Sequence, residues 1–226
     1  VSDVADRYVR GLAAQTKYFA TWFPNLRVDL GDYGVMEGKR FRREGSLRDF
    51  AVDFKARSGA SSIDFDHTSG TDASIGVKAS GGARRGAGHA GTTVKVSLGA
   101  RGAWIFQAAG CKIVELRDRR AVGLEVLRLH EAGLWSPDLV FVDSVISARR
   151  ATILVSTSRD ASVELAGDAH LRTALLPLAT DAGIQVHAQS GSVTKFLNRE
   201  GLTPLFSLAR VERSIWRWLG AGQKIG

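Results

Sequence analysis

The residues of this chain from which a reaction would have to be built are five histidines, one cysteine and a run of closely spaced glycines. His67, His89, His130, His170 and His187 are scattered, with no H-x-x-x-H pair, no cysteine pair and no carboxylate at ligand spacing, so the sequence predicts no metal centre. Gly86, Gly88 and Gly91 satisfy G-x-G-x-x-G. A dinucleotide site needs that motif to open a helix, whereas Thr92-Thr93-Val94-Lys95-Val96 follows here and alternates like a strand. The chain carries neither a G-x-S-x-G elbow nor a G-x-x-x-x-G-K-[ST] loop. A Ser/His/Asp triad could still assemble from distant residues, but nothing in the spacing favours one. The reading is of a protein that performs no chemistry, with no catalytic residue, metal or cofactor.

Cys111 lies in AAGCKIVEL, which reads as a packed strand with no neighbour that would lower a thiol pKa. A lone cysteine excludes an internal disulfide framework and is compatible with the cytosol. No basic-then-apolar signal opens the chain, because Asp3 and Asp6 interrupt its first turns, and no run of about 18 apolar residues suits a transmembrane helix. A membrane role would have to come from amphipathic strands or helices.

Charge says more. Lys and Arg outnumber Asp and Glu by 31 to 23, a formal +8, so acidic partners are the default, either anionic lipid or nucleic acid. Basic dipeptides recur at Arg42-Arg43, Arg84-Arg85, Arg119-Arg120 and Arg149-Arg150. Near an anionic membrane each cation adds about 1 kcal/mol, so a cluster matters where one residue does not. Nucleic-acid binding would use the same charge, and would also want a basic helix or aromatics on an open sheet face. Neither is evident.

The elements that must position these cations are mostly strands. Ile63, Phe65, Ile75 and Val77 alternate with polar residues before the Gly-rich basic stretch 78–91 (KASGGARRGAGHAG), and Val94, Val96 and Leu98 alternate after it. This predicts a long hairpin with a soft cationic tip carrying Lys78, Arg84 and Arg85. A second hairpin is expected from 139–146 and 151–156, turning at Arg149-Arg150, with 162–165 continuing the pattern. Strands at 103–109 and 112–116 hinge at Gly110; short turn-bounded strands fill 26–54; 183–187, 192–197 and 202–211 close the sheet. Helices are predicted from a Ser2 or Asp3 cap to about Ala20, before Pro24, and over 120–132, ended by Gly133 and Pro137. Residues 169–178 read as short helical or mixed structure interrupted by Pro177. The fold class is α+β: a twisted, largely antiparallel sheet with long amphipathic hairpins and a few packed helices.

The last segment, 212–226 (ERSIWRWLGAGQKIG), changes character, setting Ile215, Trp216, Trp218 and Leu219 beside Arg213 and Arg217. It either docks on the sheet or acts as a detachable plug or interfacial anchor.

From about Phe50 to Trp218 the order of elements resembles the gasdermins, specifically the compact bacterial ones. The resemblance rests on Val94-Lys95-Val96-Ser97-Leu98, Trp104-Ile105-Phe106, Ile113-Val114-Glu115, the 121–132 helix, the 139–165 hairpin and Leu202-Thr203-Pro204-Leu205-Phe206. It implies a pore-forming domain over 1–211 and an autoinhibitory tail over 212–226, with Ile215, Trp216, Trp218 and Leu219 holding the inactive state. An activating protease would remove the tail. The freed domain would bind anionic membrane lipid through Lys78, Arg84, Arg85, Arg149 and Arg150, insert 63–77, 94–98 and 139–156 with Asp64, Asp66 and Lys95 facing the lumen, and oligomerise with itself. It further implies a cytoplasmic inactive form, an inner-membrane pore and a part in cell-death or antiviral defence, with no nucleic acid involved. The bacterial family's palmitoylated cysteine lies near the N-terminus; residues 1–20 have none, so lipidation is not carried over. The alternative is a basic module for nucleic acid or an acidic protein, with no pore activity.

Overall fold

Strands make up more than half of the described residues, and left-handed Lys17 and Gly133 follow the two described α-helices. The computed structural model describes residues 2–21, 27–60, 62–79, 92–167, 184–211 and 217–219. Among them are two α-helices, α1 (Ser2–Thr16) and α2 (Arg119–Glu131), and strands that pair antiparallel throughout the ladders given below, an α+β fold. The strands are β1 (Phe19–Ala20), β2 (Asp32–Glu37), β3 (Arg40–Ser46), β4 (Ala56–Ser58), β5 (Ile63–Thr68), β6 (Ala73–Ala79), β7 (Thr92–Leu98), β8 (Trp104–Leu116), β9 (Leu139–Ser156), β10 (Ala161–Gly167), β11 (Ile184–Ser190), β12 (Val193–Arg210) and β13 (Arg217–Leu219). The chain divides into two units: unit 1 is Val1–Tyr8, Ile63–Cys111 and Ala148–Leu202, and unit 2 is Val9–Ser62, Lys112–Ser147 and Thr203–Gly226.

Unit 1 contains a four-stranded sheet in the order β11-β10-β7-β6. Val94, Val96 and Leu98 of β7 and Ala161, Val163 and Leu165 of β10 are buried on one face, while Lys95 is exposed and Ser97, Ser162 and Glu164 are half-buried. The apolar face packs on Ile105, Leu154 and Val193. Each fully buried Val or Leu contributes about 1.5–3 kcal/mol, and the period of two delivers all six to one side. β5 lies on β8, from Ile63↔Cys111 to Thr68↔Ile105.

In unit 2 the strand order is β1-β12-β9-β2-β3, with β13 also paired to β12 and β4 to the end of β8. Its core joins Leu47, Leu116, Val122, Val126, Leu139 and Phe141 around Trp135, which also meets Tyr33 and Phe50 ring to ring at 5.4 and 5.8 Å. Asp118 caps α2, its Oδ1 accepting from Ala121 N at 2.9 Å, and Arg128 and His130 in the last turn complement the helix dipole.

Several expectations are corrected. α1 stops at Thr16 rather than near Ala20, because Lys17 turns left-handed (φ 67°) with its N–H on the Ala13 carbonyl, and Phe19–Ala20 is already strand. The hairpin expected to turn at Arg149-Arg150 does not form. β9 runs unbroken from Leu139 to Ser156, held in line by buried Ala148 and Ala151 on either side of the arginines. β8 likewise passes through Gly110 without a turn. The glycine takes φ 62°, a Cβ there would sit 3.0 Å from Arg149 Cβ, and its N–H is taken by Asp64 Oδ1 at 2.8 Å. The register of β5 slips opposite it, so the glycine absorbs a bulge instead of a hinge. β12 spans Val193–Arg210 as one strand where two were expected. Residues 63–77 divide into β5 and β6, with Gly70–Asp72 forming a short 3-10 turn between them.

Candidate membrane-facing sheet and terminal strand

The four-stranded sheet of unit 1 has one apolar face, carried by β6, β7 and β10. The register pairs Val77↔Val94, Ile75↔Val96 and Ala73↔Leu98 between β6 and β7. It pairs Leu165↔Val94, Val163↔Val96 and Ala161↔Leu98 between β10 and β7. Cross-strand partners share a face, so three strands present one continuous apolar surface. On β11, Val186 and Ile184 lie opposite Leu165 and Gly167; a bulge after Glu164 then sets Gln189 opposite Val163. Burial is graded across the sheet. The central β7 and β10 are closed off, whereas the outer strands leave Val77 49% and Val186 40% exposed.

Ala79↔Thr92, Thr92↔Gly167 and Gly167↔Ile184 are aligned rungs, so the connections 80–91 and 168–183 both leave from the same end of the sheet. The first carries Arg84 and Arg85, which lie outside the described residues, as do the expected mixed segment at 169–178 and residues Ile215 and Trp216. Lys78 stands in β6 opposite Thr93, one rung before that end. Arg149 and Arg150 do not join it, being interior residues of β9, the first exposed and the second half-buried.

Sequence reasoning expected strands at 162–165 and 183–187 but not their pairing as β10 with β11. Its signal was present in Ala161, Val163 and Leu165 and again in Ile184 and Val186. Of the expected lumen residues, Asp64 Oδ1 accepts from Gly110 N and Asp66 Oδ1 accepts from Gln107 Nε2, both at 2.8 Å. Lys95 faces Glu164 across the ladder at 3.9 Å, on the polar side of the sheet.

The tail places Trp218 and Leu219 in β13, with Ala209↔Trp218 and Leu208↔Leu219 extending the β12 edge that β1 occupies at Leu205 and Phe206.

Among the described residues no three His, Cys, Asp or Glu side chains could hold a metal ion. Burial pushes the Cys111 thiol up to about 12, Asp64 adding to it, which leaves a poor nucleophile. Burial also lowers His67 against the opposing pull of Asp66. No described helix is long and apolar enough to cross a membrane.

No protein-family model matches this chain, and no curated protein matches it. A solved structure that it is similar to is the cryo-EM structure of the gasdermin A3 membrane pore, at 11% identity and a TM-score of 0.31, covering 96% of this chain and 92% of that one.

Proposed function

We propose that this chain is a non-enzymatic, membrane-pore-forming protein in which the β6–β7 and β10–β11 pairs of unit 1 insert as hairpins. One observation carries the reading: two amphipathic antiparallel pairs lie side by side in one sheet, share an apolar face, and send their long connections out of the same end. Lipid tails are about as apolar as leucine, so that face can exchange a protein core for a bilayer at little hydrophobic cost. The sequence supplies the needed length. Beyond β10 its apolar parity continues through Ala169 and Leu171, with Asp168, His170 and Arg172 on the other parity. Residues 161–171 thus provide the roughly 9–11 residues of a tilted span.

Among the described residues β6 and β11 each have a partner on one side only. In lipid such edges must be paired, and copies joined edge to edge satisfy them when the ring closes. Arg84, Arg85 and Lys78 belong to the inserting end and would meet anionic headgroups; Arg149 and Arg150 lose that role. The tail is proposed to hold the soluble form through β13, to be released by a protease, with the pore forming at the inner membrane in a defensive cell death.

The test is dye release from anionic liposomes by intact chain and by chain truncated after Val211. Leakage from the truncated form alone is expected. A folded truncated protein that leaks nothing, yet binds DNA or RNA with a steep salt dependence, would move the assignment to a basic binding module.

A further inference from the structure

In unit 2 the ladder between β4 and the end of β8 holds two charged rungs on one face. At Arg57↔Glu115 the charges are opposite, and Arg57 Nε donates to Glu115 Oε1 at 3.1 Å. Two residues along, the rung is Lys55 with Arg117. Arg117 N donates to the Lys55 carbonyl at 2.8 Å, continuing the register Ala56↔Leu116 by one step. Side chains directly opposite in an antiparallel ladder sit with Cβ atoms roughly 4.5–5.5 Å apart, where like charges destabilise the pair. Among the described residues neither cation has a side-chain hydrogen bond or an ion pair.

Both cations line a pocket of about 550 Å³ together with Asp53, Phe54, Asp118, Ala121 and Val122. Asp53 and Asp118 share that lining, each with one carboxylate oxygen on a backbone N–H. Asp53 Oδ1 accepts from Phe54 N at 2.9 Å, and Asp118 Oδ1 accepts from Ala121 N in capping α2. Phe54 and Val122 give the pocket an apolar wall, with Phe54 held 5.1 Å beneath the Arg48 guanidinium.

We propose that this pocket binds a phosphate-bearing ligand. The anion sits between Lys55 and Arg117, and the ligand's carbon portion lies on Phe54 and Val122. A phosphate bridging Lys55 and Arg117 screens the like-charge rung, and the arginine fork suits its oxygens. The volume is that of a small-molecule site. The phosphate could belong to a lipid headgroup or to a soluble phosphomonoester. The assignment does not rest on pore formation and is read without any leakage measurement.

The test uses the full chain, ¹⁵N-labelled, titrated with glycerol 3-phosphate, with inorganic phosphate, and with phosphatidylcholine vesicles with or without phosphatidic acid, each against chloride at matched ionic strength. Glycerol 3-phosphate is expected to shift the amides of Phe54, Lys55, Arg117 and Ala121. Arg117→Glu should weaken it at least about tenfold, without lowering the thermal midpoint, because Glu opposite Lys55 makes an attractive rung. Lys55→Gln provides the same reading should the first variant fold poorly. Loss of phosphatidic acid vesicle binding in these variants assigns a lipid headgroup; a response to the soluble phosphates alone assigns a free phosphomonoester. Equal affinity in wild type and variants, or no shift beyond chloride with any probe, overturns the site.

Discussion

β10 of unit 1 and the first half of β9 in unit 2 are both apolar strands, yet they are buried differently. From Ala161 to Leu165 in β10 every second residue is closed off and the two between are half-buried, so this stretch has one face to give. In β9 every residue from Leu139 to Ile146 is buried, including Asp143 and Ser144. Ser207 Oγ donates to Asp143 Oδ1 at 2.6 Å and shares a second 2.6 Å bond with Ser144 Oγ. A strand packed on both faces and tied by internal polar groups cannot leave its core without orphaning them. A strand with one apolar face can trade one apolar neighbour for another. On the proposed reading, this difference assigns insertion to β10 and β11 rather than to 139–156, the segment the gasdermin resemblance implied.

The largest effect should come from β9. Phe141→Ala is expected to cost about 3–5 kcal/mol, since Phe141 is 1% exposed and packs on Trp135; urea unfolding of the full chain measures it. Leu165→Ala in β10 should cost about 2–5 kcal/mol in the soluble protein. A Leu165 effect larger than that of Phe141 would blur the contrast. Gly110→Ala comes next, at about 1–2 kcal/mol, because a left-handed residue would acquire a Cβ against Arg149.

Asp143 sharpens the comparison through pH. Burial raises its pKa, outweighing the Ser207 hydrogen bond and the Arg119 charge 3.6 Å away. Since the folded value lies above the unfolded one, ionised Asp143 costs stability. That cost is absent below the unfolded pKa, grows as pH rises towards the folded pKa and is complete above it. Asp143→Asn should therefore remove a decline in stability across that window. Thermal midpoints of both proteins through the acid range would show it, and parallel curves would refute it. The smallest effect belongs to the exposed Lys95–Glu164 pair, where Lys95→Ala should change stability by no more than ~0.2–1 kcal/mol.

What the sequence made legible follows from where one signal acts alone. The alternation of Val94, Val96 and Leu98 and the Gly133 stop after α2 are local, and both survive in the fold, whereas the Asp118 cap of α2 emerged only from the structure. Arg149-Arg150 and Gly110 carried turn-like chemistry, but packing of Ala148 and Ala151 and the Asp64 bond to Gly110 kept both strands running. The Asp64 constraint comes from a residue distant in sequence. β11 was legible only in part, since the bulge opposite Glu164 breaks its period. The pocket at Lys55 and Arg117 needed the register of two strands, which composition does not carry.

The most direct test of the account labels single cysteines at Ser74, Ile75, Gly76, Val77 and Val186 with an environment-sensitive dye. These positions are exposed or half-buried in the soluble form, while Cys111 is buried and stays unreacted. After truncation at Val211 and addition of anionic liposomes, Ile75, Val77 and Val186 should move into lipid while Ser74 and Gly76 stay aqueous, a period of two along β6. Leakage with no such alternation would contradict insertion of this sheet.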